Sequence, residues 1–356
     1  MKIAYVTRRY WPYVKGGSEK FAKKVVERLK ARGHDVKVVT LASDNSEEVI
    51  GIRDPFKGTW LSSVYFSIMA PMVLRKLKPD AVIVNAYWAE FSPILEEFPT
   101  IYLIHDAGLL ELSSWKYKPK SLLMKASAMK SDLVVVPLSY TKRLLVEKLG
   151  IPESKIRVLG GEGVEGPFKY VKRDNGFFNV VQVARFAPNK GQLDLIDAFK
   201  ESLAREKAKL WLVGTISDTA YFEKVLKKVR EVRKEYGDIV KVVPNAKSVN
   251  PYYELADVCV NPSIHSEGFG LSLVECMAFG KPVIASEIFK KIGTINEEEA
   301  ITFKDLEDLK AKLRYVYENY NEVLNKYGIK GLEKAKKLSW DEVVEKLEKW
   351  LKEIAR

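Results

Sequence analysis

Two carboxylates, Glu267 and Glu275, stand eight residues apart around a glycine-bracketed phenylalanine in the stretch HSEGFGLSLVECMAFGKPVIAS, residues 265 to 286. The stretch reads as turn, helix and strand. Gly268 and Gly270 suit a tight turn, LSLVECMAF suits a short helix, and Gly280 suits its end before the apolar run PVIAS. A turn that opens a helix presents free backbone N–H groups and the positive end of the helix dipole. Phe269, Gly270 and Leu271 could therefore seat a phosphate. The two carboxylates would repel that phosphate, so the ligand must come in parts, with an anionic centre for the helix end and hydroxyls for Glu267 and Glu275. A nucleotide sugar has that make-up.

Other positions fit such a ligand. In FNVVQVARFAPNKG, Arg185 and Lys190 place two fixed positive charges in a loop that leads to a helix. That pair suits a diphosphate whose negative charge grows as a bond to it breaks. Gly16 and Gly17 precede another helix, where the backbone could approach phosphate closely or simply make a plain strand-to-helix turn. His105, one of three histidines, ends the strand TIYLIH beside Asp106 and reads equally as a functional or a packing residue.

These residues all sit at the carboxyl ends of predicted strands, where open parallel sheets bind ligands. Apolar β-branched runs alternate with helical patterns through most of the chain, which predicts parallel sheets covered on both faces. The first half offers KIAYVT, DVKVVTL, AVIVNA, TIYLIH and DLVVVPL, and the second FNVVQVA, AKLWLVG, IVKVV, DVCVN and KPVIA. A helix over Ser18 to Arg32 carries Phe21, Val25 and Leu29 on one stripe. The prediction is α/β with two doubly wound domains, residues 1–165 and 166–338. A last helix over 339–356, capped at Ser339 and apolar along Val343, Leu347, Trp350, Leu351 and Ile354, docks back on the first domain.

The glycine-rich segment from Ile156 to Gly176 is the predicted linker. Gly161, Gly163 and Gly166 there match a dinucleotide-binding turn, but Pro167 is followed by FKYVKRD, which lacks a helical stripe, so these glycines read as a hinge.

At 356 residues, 47% hydrophobic and 30% charged, the chain suits two soluble domains. No run approaches a membrane span, MKIAYVTRRYW lacks a signal-peptide core, and the expected location is cytoplasmic. Cys259 and Cys276 are too few for a disulfide framework or a four-ligand zinc site. Abundant Lys and Glu with only two glutamines, Gln182 and Gln192, hint at a thermophilic source. Of the net charge of +12, residues 1–160 hold most, with 26 Lys and Arg against 16 Asp and Glu. That excess fits an acidic substrate, an anionic membrane surface or nucleic acid, or a lysine-rich surface without a partner.

The set R-x4-K-G followed by E-x7-E with EGFG inside it resembles the retaining glycosyltransferases of family 4, which have the GT-B fold. The resemblance runs through YWPYVKGGSEKFAKKVVERLKARGHDVKVVT, VARFAPNKG, LVGTISD, YYELADVCVNPSIHSEGFGLSLVECMAFGKPVIAS and SWDEVVEKL, most of the chain. It implies two Rossmann-like domains facing across a cleft, the first on the acceptor side and the second binding the nucleotide sugar. It implies that Arg185 and Lys190 hold the donor diphosphate and that the backbone of Gly17 reaches it from across the cleft. Glu275 then accepts from the ribose hydroxyls, and Glu267 faces the donor sugar. The backbone from Gly268 through Phe269 and Gly270 to Leu271 lies by its hydroxyls and phosphate, and His105 lies near its C6 end. The family is thought to transfer on the front face. No metal is expected, since the chain has no Asp-x-Asp pair and the two cations can do the same electrostatic work.

The chain departs from the family pattern in three places. EIFKKIGTINEEE replaces a Gly-Gly-x-x-Glu turn, GGEGVEGPF replaces Asn-Gly-Val-Asp and so brings in Glu162 and Glu165, and Arg8, Arg9, Tyr10 and Trp11 make the first loop basic and aromatic. These bear on donor class and acceptor pocket. The expected acceptor is anionic, such as a phospholipid, a polyprenyl phosphate or an acidic glycan. Trp60 to Leu74 and Ser113 to Lys130 are candidates for peripheral membrane contact, or else for core packing and a lysine-rich surface. The competing readings are another GT-B enzyme, such as a trehalose-type synthase, a nucleotide-sugar hydrolase or an epimerase, and a basic nucleic-acid-binding protein. No nucleic-acid motif supports the last.

Overall fold

The computed structural model describes residues 1–10, 17–42, 46–56, 60–86, 97–105, 110, 118–263 and 268–355. Glu267 and Asp106 lie outside the described residues, as do Trp11, Gly16 and the stretch 113–117. The chain divides into two compact units, Met1–Gly163 with Trp340–Arg356, and Val164–Ser339.

In the first unit β1 (Lys2–Val6), α1 (Gly17–Ala31), β2 (Asp35–Leu41), β3 (Val49–Ile52), α2 (Trp60–Leu77) and β4 (Ala81–Ala86) come in turn. Then follow β5 (Thr100–Ile104), α3 (Lys118–Lys130), β6 (Leu133–Val136), α4 (Ser139–Leu149) and β7 (Ile156–Val158). The described strands form one seven-stranded sheet in the order β3-β2-β1-β4-β5-β6-β7. Every pairing is parallel, with Ile3 beside both Val36 and Ala81 in the centre. Strands buried on both faces must be apolar throughout, which is why LVVV and AVIV show no alternation. One face packs under Phe66, Ala70 and Leu74 of α2 and Met124 and Ala128 of α3. The other packs under α1, whose predicted stripe of Phe21, Val25 and Leu29 is buried in full. Each such side chain removed from water contributes about 1.5–3 kcal/mol.

The second unit runs β8 (Phe178–Val183), α5 (Gln192–Leu203), β9 (Ala208–Gly214), α6 (Thr219–Tyr236), β10 (Val240–Pro244), α7 (Asn250–Leu255) and β11 (Val258–Asn261). It continues with α8 (Leu271–Ala278), β12 (Val283–Ser286), α9 (Glu287–Lys291), β13 (Ile301–Phe303), α10 (Leu306–Glu318), α11 (Tyr320–Val323) and α12 (Ile329–Lys337). Its described strands form a six-stranded parallel sheet in the order β10-β9-β8-β11-β12-β13. The final helix α13 (Trp340–Ile354) returns to the first unit and buries Val343, Leu347 and Leu351 beside α1. Arg32 and His34 both bond the carboxylate of Glu348 from across this seam, at 3.0 and 3.1 Å.

After β7 no helix opens behind Gly161, Gly163 and Gly166, so the dinucleotide pattern there is without its helix. Cys259 on β11 and Cys276 on α8 are joined by a disulfide. Two cysteines cannot frame a fold. They can still tie one helix to one strand, and the loop they close takes in Gly270 and Glu275.

Candidate active site

In the second sheet, β8 and β11 are neighbours, yet the chain runs from β8 outward to β9 and β10 before crossing to β11 and continuing the other way. Loops on either side of such a reversal part and leave a crevice at the carboxyl ends of the strands. The loop after β8 carries Arg185 and Lys190, and the loop after β11 leads through Gly268 to Glu275.

The first of these loops is held from within. Gln182 and Gln192 are both buried. Gln192 donates through Nε2 to the carbonyl of Arg185 at 2.9 Å, and Gln182 donates to the carbonyl of Lys190 at 2.7 Å. Gly191 adopts φ 65°, and a Cβ there would strike the carbonyl oxygen of Pro262 in the neighbouring loop. The backbone is thus fixed while the Arg185 side chain stays exposed, its Nη1 donating to Ser217 Oγ at 3.2 Å. Beside this turn a cavity of ≈ 260 Å³ lies at the ends of β11, β12 and β13, lined in part by Asp194, Pro262, Ser263, Ser286 and Phe303. Burial, then the nearby Asp197, pushes the Asp194 carboxyl above its usual range.

The second loop enters α8 through Gly270 at φ 74°, left-handed backbone that glycine adopts without strain. A Cβ at Gly270 would also collide with the Phe289 ring, which is fully buried. Thr294 Oγ1 donates to the carbonyl of Phe269 at 2.7 Å, so the turn is pinned on its far side. Phe289 and Thr294 belong to the segment EIFKKIGT that follows β12. In this chain that segment supports the turn. One helical turn along, half-buried Glu275 accepts at Oε2 from the hydroxyl of Tyr253, at 2.9 Å.

Behind them, the buried ammonium of Lys281 donates to the carbonyls of Ala256 and Glu254 at 2.6 and 3.2 Å, capping the C-terminal end of α7. Burial pushes its pKa down to about 8.

In the first unit the reversal lies between β1 and β4. Gly17 opens α1 after β1. Asn85 on β4 donates to Thr7 Oγ1 at 3.5 Å and offers Oδ1 to His105 Nε2 at 2.7 Å. The other ring nitrogen of His105 faces Glu162 Oε1 at 3.2 Å, and the Phe21 ring stands edge-on at 4.8 Å. His105 is therefore positioned through both nitrogens, one of them by a carboxylate from the altered segment after β7.

Of the residues named from sequence, the structure brings Arg185, Lys190, Gly268, Phe269, Gly270, Leu271 and Glu275 to the reversal in the second sheet, and Gly17 and His105 to the corresponding end of the first. Gln182, Gln192, Tyr253, Phe289 and Thr294 were missed. Only the glutamines gave a signal, as the two amides kept in a chain that otherwise avoids Gln.

Comparison with known proteins agrees with this layout. The profile described as "Glycosyl transferases group 1" matches residues 178–319, and "Glycosyltransferase Family 4" matches residues 15–160. The chain belongs to the group 1, family 4 glycosyltransferases. A trehalose synthase from Pyrococcus horikoshii is 33% identical to this chain over 172 residues, 44% of this chain and 39% of the relative. This chain thus matches well under half the length of that relative. An uncharacterised glycosyltransferase from Methanocaldococcus jannaschii is 26% identical over 337 residues, 84% of this chain and 83% of that one. The crystal structure of an Anabaena protein in complex with UDP and glucose superposes with a TM-score of 0.77 at 16% identity, covering 99% of this chain and 100% of that one. The chain has the GT-B fold. No described helix in it is long and apolar enough to cross a membrane.

Proposed function

We propose that the protein moves a hexose from a nucleoside-diphosphate sugar to a hydroxyl acceptor with retention of configuration. The observation that carries this reading is the pairing, at one reversal point, of a braced two-cation loop with a helix N-terminus and a half-buried carboxylate, Glu275, held by Tyr253. In it, Arg185 and Lys190 hold the diphosphate and Glu275 accepts from the ribose hydroxyls. The N–H groups at Gly270 and Leu271 face phosphate. The bond from C1 to the leaving phosphate oxygen breaks as the acceptor oxygen bonds to C1 on the same face. That phosphate oxygen takes the acceptor proton. Glu267 serves the sugar in this scheme, and Gly17 and His105 serve the same donor through the family resemblance. The cations take the part of a metal, so none is required.

For the acceptor and its setting, α2 and α3 favour an anionic amphiphile. The outer face of α2 exposes Leu61, Val64, Ile68 and Met72 at helical spacing, while its inner face is core. On α3, Leu122, Leu123 and Met129 are exposed among Lys118, Lys120, Lys125 and Lys130, and neither helix contains Asp or Glu. Such faces suit the surface of an anionic bilayer. A second reading, a trehalose-type synthase, is favoured by the 33% match to a trehalose synthase over 172 residues.

The test is calorimetric titration with UDP, GDP and ADP in EDTA. One nucleotide should bind, and Lys190→Ala should weaken it about 10- to 100-fold, the worth of a charge-assisted contact. Failure of all three to bind would sink the reading. Glu267→Ala should cripple turnover while keeping part of the donor affinity. With the donor class known, glucose and anionic lipid acceptors can be compared directly.

A further inference from the structure

Glu275 lies on a support fixed at several points. The residue after it, Cys276, is bonded to Cys259 on β11. Its carboxylate takes a hydrogen bond from Tyr253, whose ring is 1% exposed and packs against Phe279 at 5.5 Å between centroids. α7, which carries Tyr253, is capped by the buried Lys281 ammonium. Such a phenol in the interior needs a partner, and the nearest acceptor it uses is Oε2 of Glu275. Burial, and the Glu275 carboxylate beside it, push the Tyr253 phenol well above its usual range.

A carboxylate on a flexible side chain must be ordered before it can meet a vicinal diol with both oxygens well aimed, and that ordering reduces affinity. One hydrogen bond from a rigid buried ring removes the freedom beforehand. We propose that Tyr253 is a positioning residue that sets the plane of the Glu275 carboxylate and thereby gives the site its preference for ribose over deoxyribose in the nucleotide. This rests on the reading of Glu275 as the ribose acceptor. It assigns no contact between Tyr253 and the ligand.

The experiment measures dissociation constants of UDP, GDP or ADP, whichever binds, and of its 2′-deoxy analogue. The proteins are wild type, Tyr253→Phe and Glu275→Gln, each checked by thermal midpoint. Wild type should prefer the ribonucleotide about ten-fold or more, as expected for a hydroxyl bonded to a charged acceptor. Tyr253→Phe, which removes one oxygen and keeps the ring, should lose most of that ratio, weakening the ribonucleotide more than the deoxy form, which keeps only its 3′-hydroxyl for Glu275. A purely structural role would weaken both nucleotides alike and leave the ratio unchanged, and that result overturns the inference. A ratio near one in wild type overturns it as well. If Glu275→Gln keeps the full ratio, the ribose role of Glu275 falls and the inference falls with it. If Glu275→Gln abolishes the ratio and Tyr253→Phe does not, the reading of Glu275 stands and only the role of Tyr253 is lost.

Discussion

The two units follow one plan, a doubly wound parallel sheet with a reversal of strand order near its middle, and differ in what supports the loops at that reversal. In the second unit each loop is fastened from behind by a buried group: Gln182 and Gln192 on one side, Phe289, Thr294, Tyr253 and the disulfide on the other. In the first unit Thr7, Asn85, His105 and Glu162 hold one another, and the outer helices α2 and α3 expose apolar rows. A seat for a small charged ligand gains from pre-organisation, since each group fixed beforehand is one less to order on binding. A unit that keeps apolar surface exposed is fitted to something larger that can cover it.

The sharpest way to break the contrast is at Gly270. Replacing it with Ala forces a side chain into left-handed backbone and into the Phe289 ring, which has no room to retreat. Displacement of the turn by even about 1 Å should lower turnover on the order of 100-fold. Donor titration should show the loss in binding, while vesicle binding through the first unit should be unaffected. Unchanged donor affinity in Gly270→Ala would mean that the turn at α8 does not touch the ligand.

The disulfide makes the second test. The only cysteines in the chain lie in the second unit, 17 residues apart. A cross-link closing a loop of that length contributes about 3 kcal/mol. Calorimetric melting with and without reductant should therefore lower the transition of the second unit and leave that of the first in place. Donor affinity should fall along with it, because the closed loop holds the turn and Glu275.

How much of this was legible in the sequence follows the same division between pattern and contact. The buried strands could be read because a sheet covered on both faces leaves no position for polar residues, as in LVVV and VCVN. β3 and β13 escaped, being edge strands of four and three residues, too short for any periodicity to rise above the loops around them. The candidate site residues could be picked out because Arg185, Lys190 and Glu275 are chemically unusual for strand ends and stand at telling intervals. Tyr253, Thr294 and Phe289 are ordinary residues whose task is set by partners 19 to 25 positions away. Only folding brings them together. Glu162 belongs with them, for nothing in GGEGVEG points to a histidine 57 residues earlier.

A smaller effect is expected at Lys281. Its pKa of about 8 lies below the ordinary value of 10.5, so between those pH values the unfolded chain holds a proton that the native state does not. Stability should then rise with pH across that window, by up to about 1.4 kcal/mol per unit. Urea unfolding of wild type and Lys281→Met at pH 8 and 9.5 isolates the contribution, since the variant should lack this slope. A wild-type stability that falls over the same interval relative to the variant would reverse the sign and contradict a lysine desolvated at the end of α7.

The smallest effect on the folded protein is expected on α2, and there the smallness is the point. Ile68 is 58% exposed and Met72 50%, so neither has much packing to lose. Ile68→Glu with Met72→Glu should change stability by no more than about 0.5 kcal/mol per site and leave nucleotide affinity as it was. If the row serves an anionic bilayer, two added carboxylates oppose it twice, by removing apolar area and by repelling the lipid charge. Co-sedimentation with anionic vesicles should then fall sharply, and raised salt should weaken wild-type binding without abolishing it, because the apolar part is not screened. Should the double variant pellet as well as wild type, the exposed row is not the contact. Should it lose stability by several kcal/mol instead, α2 is covered by protein on both faces and the contrast between the units would lie in their loops alone.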